Sequence, residues 1–167
     1  MKRMLLLACC FFSLAANAQQ ALKIRQQAPE IALSQPDGQP FHLSALKGAL
    51  VLVDFWATWC APCVQEQPAL KAIYQKNEAF VKQGKFQILG VSLDSKKEHW
   101  EKGISKLAIT WPQVSDLRFW KSPVAKAYGV EALPFNVLVD ESGKIIAFNL
   151  HGKELEDFIH EHLSGKP

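Results

Sequence analysis

Two cysteines separated by two residues, Cys60-Ala-Pro-Cys63, are the part of this sequence best equipped for chemistry. A C-x-x-C pair can close a small disulfide ring with little backbone movement. The ring opens when a thiolate attacks one of its sulfurs, so the pair suits thiol–disulfide exchange. The segment before it, Leu50-Val-Leu-Val-Asp-Phe-Trp56, is a continuous apolar, β-branched run of the kind buried on both faces of a sheet. From Pro62 to Phe80 apolar residues at 64, 69, 70, 73, 74 and 80 recur at helical spacing, with Gly84 just beyond. Cys60 then falls at a helix start, where unpaired N–H groups and the macrodipole favour the attacking thiolate. Cys63, one turn further in, is expected to be the more buried thiol and to resolve a mixed disulfide. Pro62 suits the first turn, because its missing N–H has no helical partner there in any case.

Two carboxylates and a tryptophan stand close to the pair. Asp54 falls within the apolar strand, six residues before Cys60. Burial without a charge partner would raise its pKa toward neutrality and suit it to proton exchange with Cys63; a solvated place at the strand's end is the alternative. Glu66 lies three residues after Cys63, hence near it on the helix surface, and both a catalytic role and an ordinary exposed glutamate remain open. Trp59 is expected to cover the disulfide and form part of a substrate surface, with Trp56 packed inside. Trp100, Trp111 and Trp120 have no chemical context and are assigned to packing. His160 and His162 point in different directions on a helix, and His151 is a lone loop residue given no role. Three plainer readings of the cysteines compete: half of a zinc site, a structural disulfide, or two inert thiols. The first lacks a second cysteine pair downstream.

The rest of the chain must position these groups. It has 167 residues, 49% hydrophobic and 21% charged, enough for one domain with a real core. Short apolar stretches from Pro29 to Leu43 around Gln35-Pro-Asp-Gly38 suggest an edge hairpin. Phe86 to Leu93 reads as a second buried strand, Lys96 to Leu107 as a polar helix, and Ser122 to Tyr128 as a short helix stopped by Gly129. Phe135 to Asp140 and Lys144 to Leu150 flank Glu141-Ser-Gly143, a hairpin signal, and Gly152 to Leu163 closes with an amphipathic helix. This order implies an α/β fold, a mixed sheet covered by helices on both faces.

Residues 1–18 read as a signal peptide: Lys2 and Arg3, an apolar run from Leu5 to Leu14, then Ala16-Asn17-Ala18. The run falls well short of the roughly 20 residues that span a bilayer, so no transmembrane span is expected. Lipidation at Cys9 or Cys10 would leave almost no apolar run before the cut. Removal leaves a domain over 19–167, Cys60 and Cys63 as its only thiols, and 17 positive against 16 negative side chains. That near-neutral balance excludes the dense positive field of a nucleic-acid binder. Export, most simply to the periplasm, puts the pair where disulfides persist.

Val53-Asp-Phe-Trp-Ala-x-Trp-Cys-x-Pro-Cys63 resembles the active-site segment of thioredoxins. Glu66, Pro68, Ala28-Pro29 and Asp37-Gly38 resemble the exported TlpA-like branch of thiol–disulfide oxidoreductases, which includes reductants of apocytochrome c. Tyr128-Gly-Val-Glu-Ala-Leu-Pro134 resembles the same family's second landmark. The resemblance covers residues 28 to 163 and implies a thioredoxin-like fold with an N-terminal hairpin extension. It also implies a buried acid at Asp54 and a cis Leu133–Pro134 bond facing the cysteines. The substrate surface it implies comprises Trp59, Ala61, Pro62, Leu133 and Pro134. Phe135-Asn136 stands where relatives often carry threonines, so this part of the groove is expected to differ. The implied partners are protein disulfides or thiols and a separate electron donor such as a membrane thiol carrier. No cofactor and no metal are implied, and a monomer is expected. A peroxidase on the same fold is disfavoured because Thr58 lies two residues before Cys60, breaking the T-x-x-C pattern. A copper chaperone would need a histidine, His42 or His151, brought up in space.

Overall fold

The computed structural model describes residues 22–165; the signal peptide expected over 1–18, with Cys9 and Cys10, lies outside the described residues. β1 (Ala32–Ser34) and β2 (Pro40–His42) form the expected small hairpin, turned through Gly38 at φ 84°. β3 (Leu50–Trp56) is buried at every position, as its unbroken apolar run requires. It pairs in parallel with β4 (Phe86–Ser92) and antiparallel with β6 (Phe135–Val139), with Asp54 opposite Asn136. β5 (Gln113–Ser115) continues the parallel set beside β4, and β7 (Ile145–Phe148) returns antiparallel to β6. Among the described residues the sheet has seven strands in the order β2-β1-β5-β4-β3-β6-β7. The helices are α1 (Ala61–Lys76), α2 (Glu78–Lys82), α3 (Lys97–Lys106), α4 (Pro123–Ala127) and α5 (Gly152–Leu163).

Two expectations need correction. The helix read from Pro62 to Phe80 is two helices, broken at Asn77. The side-chain amide of Asn77 donates to the carbonyl of Ile73 at 2.9 Å and ends α1. β5 was not foreseen, because two of its three residues are polar. Both are buried with partners: Trp56 Nε1 donates to Gln113 Oε1 at 2.9 Å, and Ser115 Oγ donates to the Ser92 carbonyl at 2.8 Å.

The N-terminal segment pairs with the start of β7 and the turn before it. Arg25 N–H donates to the Ile145 carbonyl, Ile145 N–H to Gln26, and Ala28 N–H to Gly143, at 2.7, 2.9 and 2.9 Å. β3 and β4 end, and β6 begins, on one side of the sheet, so residues 57–60, 92–94 and 133–135 gather there. Ligand and catalytic groups of open α/β sheets collect at such strand ends. Among the described residues no helix is long and apolar enough to cross a membrane.

Candidate active site

Cys60 is the N-cap of α1, in extended conformation (φ −86°, ψ 97°), with Ala61 and Pro62 opening the helix behind it. Its sulfur accepts a hydrogen bond from the Cys63 N–H at 3.2 Å, satisfying a donor that the helix start would leave unpaired. The two cysteines are joined as a disulfide, their Cα atoms 5.3 Å apart. Cys63 is 1% exposed and Cys60 5%, the expected order, although both are buried in this oxidised state. Ala61 and Pro62 are exposed beside them. Leu133 and Pro134 are half-buried and precede β6 at the same end of the sheet, and their peptide bond is cis.

Asp54 is 3% exposed, so the solvated alternative does not hold. Burial, the nearby charge of Glu66 and, opposing both, a 3.4 Å hydrogen bond from Gln67 Nε2 set its acidity; the net effect raises its pKa to about 7. A carboxyl of this kind exchanges a proton near neutrality. The other end of the Gln67 amide, Oε1, is buried and without a partner among the described residues.

Glu66 is not the freely exposed glutamate that sequence reasoning left open. Its side chain is 15% exposed, and its Oε1 lies 2.8 Å from Nδ1 of His151. His151, given no role from the sequence, is thus brought to the site from the connection between β7 and α5. No local signal announces a contact spanning 85 residues.

Trp59 is 46% exposed and stands at the disulfide end of the molecule beside two further rings. Its centroid lies 5.0 Å from that of Phe119 and 5.9 Å from that of Trp120, which are each 41% exposed. Trp120 is thus packed on the surface against Trp59, within the packing role read from the sequence. Trp56, Trp100 and Trp111 are buried in the core, as expected.

The turn carrying Trp59 is held from β4's end by Asp94. This buried carboxylate accepts from Thr58 N–H at 3.1 Å, Thr58 Oγ1 at 2.6 Å and Ser92 Oγ at 2.8 Å. Sequence reasoning missed Asp94; its place just past a buried strand parallel to β3 was the available signal. His42 lies on β2 with Glu30 at 3.8 Å, and among the described residues no group of three or more histidine, cysteine or acidic side chains could hold a metal ion.

Comparison with known proteins agrees with this geometry. Residues 24–148 match the model of the AhpC/TSA family. The thiol-disulfide oxidoreductase ResA of Geobacillus thermodenitrificans is 32% identical over 163 residues, spanning 96% of this chain and 89% of that one. The thioredoxin-like protein YneN of Bacillus subtilis is 35% identical over 120 residues, 72% of this chain and 67% of that one. Among solved structures, the thioredoxin domain of a thiol-disulfide oxidoreductase from Bacteroides vulgatus superimposes with a TM-score of 0.77. It is 34% identical, with 85% of this chain and 99% of that one covered. The mixed sheet, its flanking helices and the cysteine pair at the start of α1 thus have one consistent explanation: the chain belongs to the AhpC/TSA family and is a thiol–disulfide oxidoreductase of thioredoxin-like fold, similar to ResA.

Proposed function

We propose that the protein is exported by its first 18 residues and acts in the periplasm as a monomeric reductant of protein disulfides. The hydrogen bond from the Cys63 N–H to the Cys60 sulfur carries the exchange chemistry and the choice of Cys60 as the attacking thiol, because a donor already aimed at that atom favours its thiolate. In the reduced protein the Cys60 thiolate attacks a substrate disulfide, forming a mixed disulfide and releasing one substrate sulfur as a thiolate. Cys63 passes its proton to Asp54 and attacks the Cys60 sulfur. The second substrate thiolate leaves, and two protein thiols have become the Cys60–Cys63 disulfide. A separate donor, of the membrane thiol carrier class, must then return two electrons. Glu66 acts in the proton transfer by bearing on Asp54. The substrate lies over Ala61 and Pro62 and against Trp59, with its backbone extended beside Leu133 and Pro134. An apocytochrome c disulfide is the substrate that the TlpA-like resemblance implies.

The reducing direction follows from Ala61-Pro62, which puts no histidine or cation between the cysteines; strongly stabilised thiolates make oxidants. Cys63→Ala is expected to accumulate a mixed disulfide with a disulfide-bonded protein substrate, and Cys60→Ala none. Alkylation of the reduced protein should label Cys60 first. Faster labelling of Cys63 reverses the roles. A reduction potential near the roughly −120 mV of strong oxidants, measured against glutathione, reverses the direction.

A further inference from the structure

His151 occupies the N-cap position of α5, where Ser, Thr, Asp or Asn ordinarily bonds the first helical N–H groups. Its side chain makes no such bond. Instead Nδ1 lies 2.8 Å from Glu66 Oε1, and Nε2 lies 3.2 Å from Asn149 Oδ1. Both ring nitrogens therefore face oxygen, an arrangement in which the imidazole can donate to Glu66 and to Asn149.

The backbone behind His151 is clamped by a buried side chain. Asn136 is 2% exposed; its Nδ2 donates to the Leu150 carbonyl at 2.6 Å, and its Oδ1 accepts from the Leu150 N–H at 3.2 Å. Its own carbonyl accepts from Asn149 N–H at 2.7 Å, where Asn149 takes the left-handed conformation (φ 57°). Asn136 is the second residue of the Phe135-Asn136 departure noted in the sequence, and it sits opposite Asp54 in the sheet. One asparagine thus ties the strand that follows Pro134 to the connection that delivers the imidazole.

We infer that His151 is a positioning residue for the exchange reaction: held through Asn136, it fixes the Glu66 carboxylate beside Asp54 and offsets its negative charge. This rests on the proton-transfer reading of Asp54 and Glu66 above and adds a group to it. Glu66 is faced by His151 from the β7–α5 connection and by Asp54 from β3, while Cys63 precedes it by one turn on α1. Of the charged groups at the start of α5, Lys153 pairs with Asp157 and Glu156 with Lys76, while Glu154 is exposed. Without the imidazole, an uncompensated Glu66 carboxylate would make Asp54 hold its proton to higher pH, and Cys63 would be deprotonated later.

The test mixes the reduced protein with excess glutathione disulfide and follows loss of the Cys60–glutathione mixed disulfide by acid quench and mass spectrometry between pH 5 and 9. The proteins compared are the wild type, His151→Gln, Glu66→Gln, the double variant and Asp54→Asn. Glutamine can still donate to Glu66 but carries no charge. His151→Gln is expected to move the midpoint of the resolution profile upward by about half a unit to one unit. Glu66→Gln should move it downward, and adding His151→Gln to that background should change nothing more. A His151→Gln profile superimposable on the wild type overturns the inference. So does an equal upward shift in the Glu66→Gln background. If Asp54→Asn itself leaves the rate and its pH dependence as they were, the proton-transfer reading fails first, whatever His151 does.

Discussion

Replacing Asp54 with asparagine removes a titration from the core and should stabilise the protein in a pH-dependent way. The carboxyl ionises at about 7 in the folded chain, against an ordinary value of 3.8. Below the lower value it is protonated in both states and contributes no difference. Between the two values the folded state holds a proton that the unfolded state has released, so stability falls as pH rises. Above about pH 7 the loss is complete. Three pKa units at about 1.4 kcal/mol each set it at about 4 kcal/mol. Asparagine keeps the shape and can still accept from Gln67, so little else changes. Urea unfolding of the oxidised wild type and Asp54→Asn is the assay, at pH 4, 5.5, 7 and 8.5. The two should nearly coincide at pH 4 and diverge steadily, with the variant more stable by about 2–4 kcal/mol at pH 8.5. Curves with the same pH dependence would refute the reasoning, since a solvated or charge-paired carboxyl gives no such divergence.

Two further outcomes follow from packing. Phe119→Ala and Trp120→Ala should each lower kcat/KM for a disulfide-bonded protein by about fivefold, the worth of about 1 kcal/mol of aromatic contact. The loss with glutathione disulfide should be smaller, and equal losses with both would remove the aromatic group from substrate binding. Gly90→Ala should destabilise by about 2–3 kcal/mol, because the new methyl overlaps the Gln113 amide that accepts from Trp56 Nε1. An unchanged unfolding midpoint would show that the amide can move aside.

The parts of the fold that depend on local pattern were readable. The run Leu50–Trp56 is buried at every residue, and a helix begins directly after Cys60. The acid at Asp54 was recognisable because a carboxylate interrupts that run. What escaped was held together by long-range pairing of polar groups. β5 is three residues long, and Gln113 and Ser115 are tolerated inside only because Trp56 and Ser92 meet them. Phe119 reaches Trp59 from a segment where Leu117 and Phe119 both take positive φ, a conformation no composition rule assigns to leucine or phenylalanine. His151 looked unremarkable because its partner lies on a helix formed much earlier in the chain. The contact arises only when the β6–β7 hairpin has brought the two together.

The bonding of residues 25–28 to residues 143–145 bears on how the chain can be made. The portion of the domain synthesised first pairs with the turn before β7 and with the first residue of that strand, synthesised nearly last. Until the final hairpin has emerged, that opening stretch lacks this pairing, and until the stretch returns, the N–H and carbonyl of Ile145 at the start of β7 are bare. Closure of the sheet therefore has to follow completion of the chain and cannot proceed with it from one end. A chain trimmed into residues 25–28 would leave the backbone groups of Gly143 and Ile145 unpaired even with every residue around the cysteines intact.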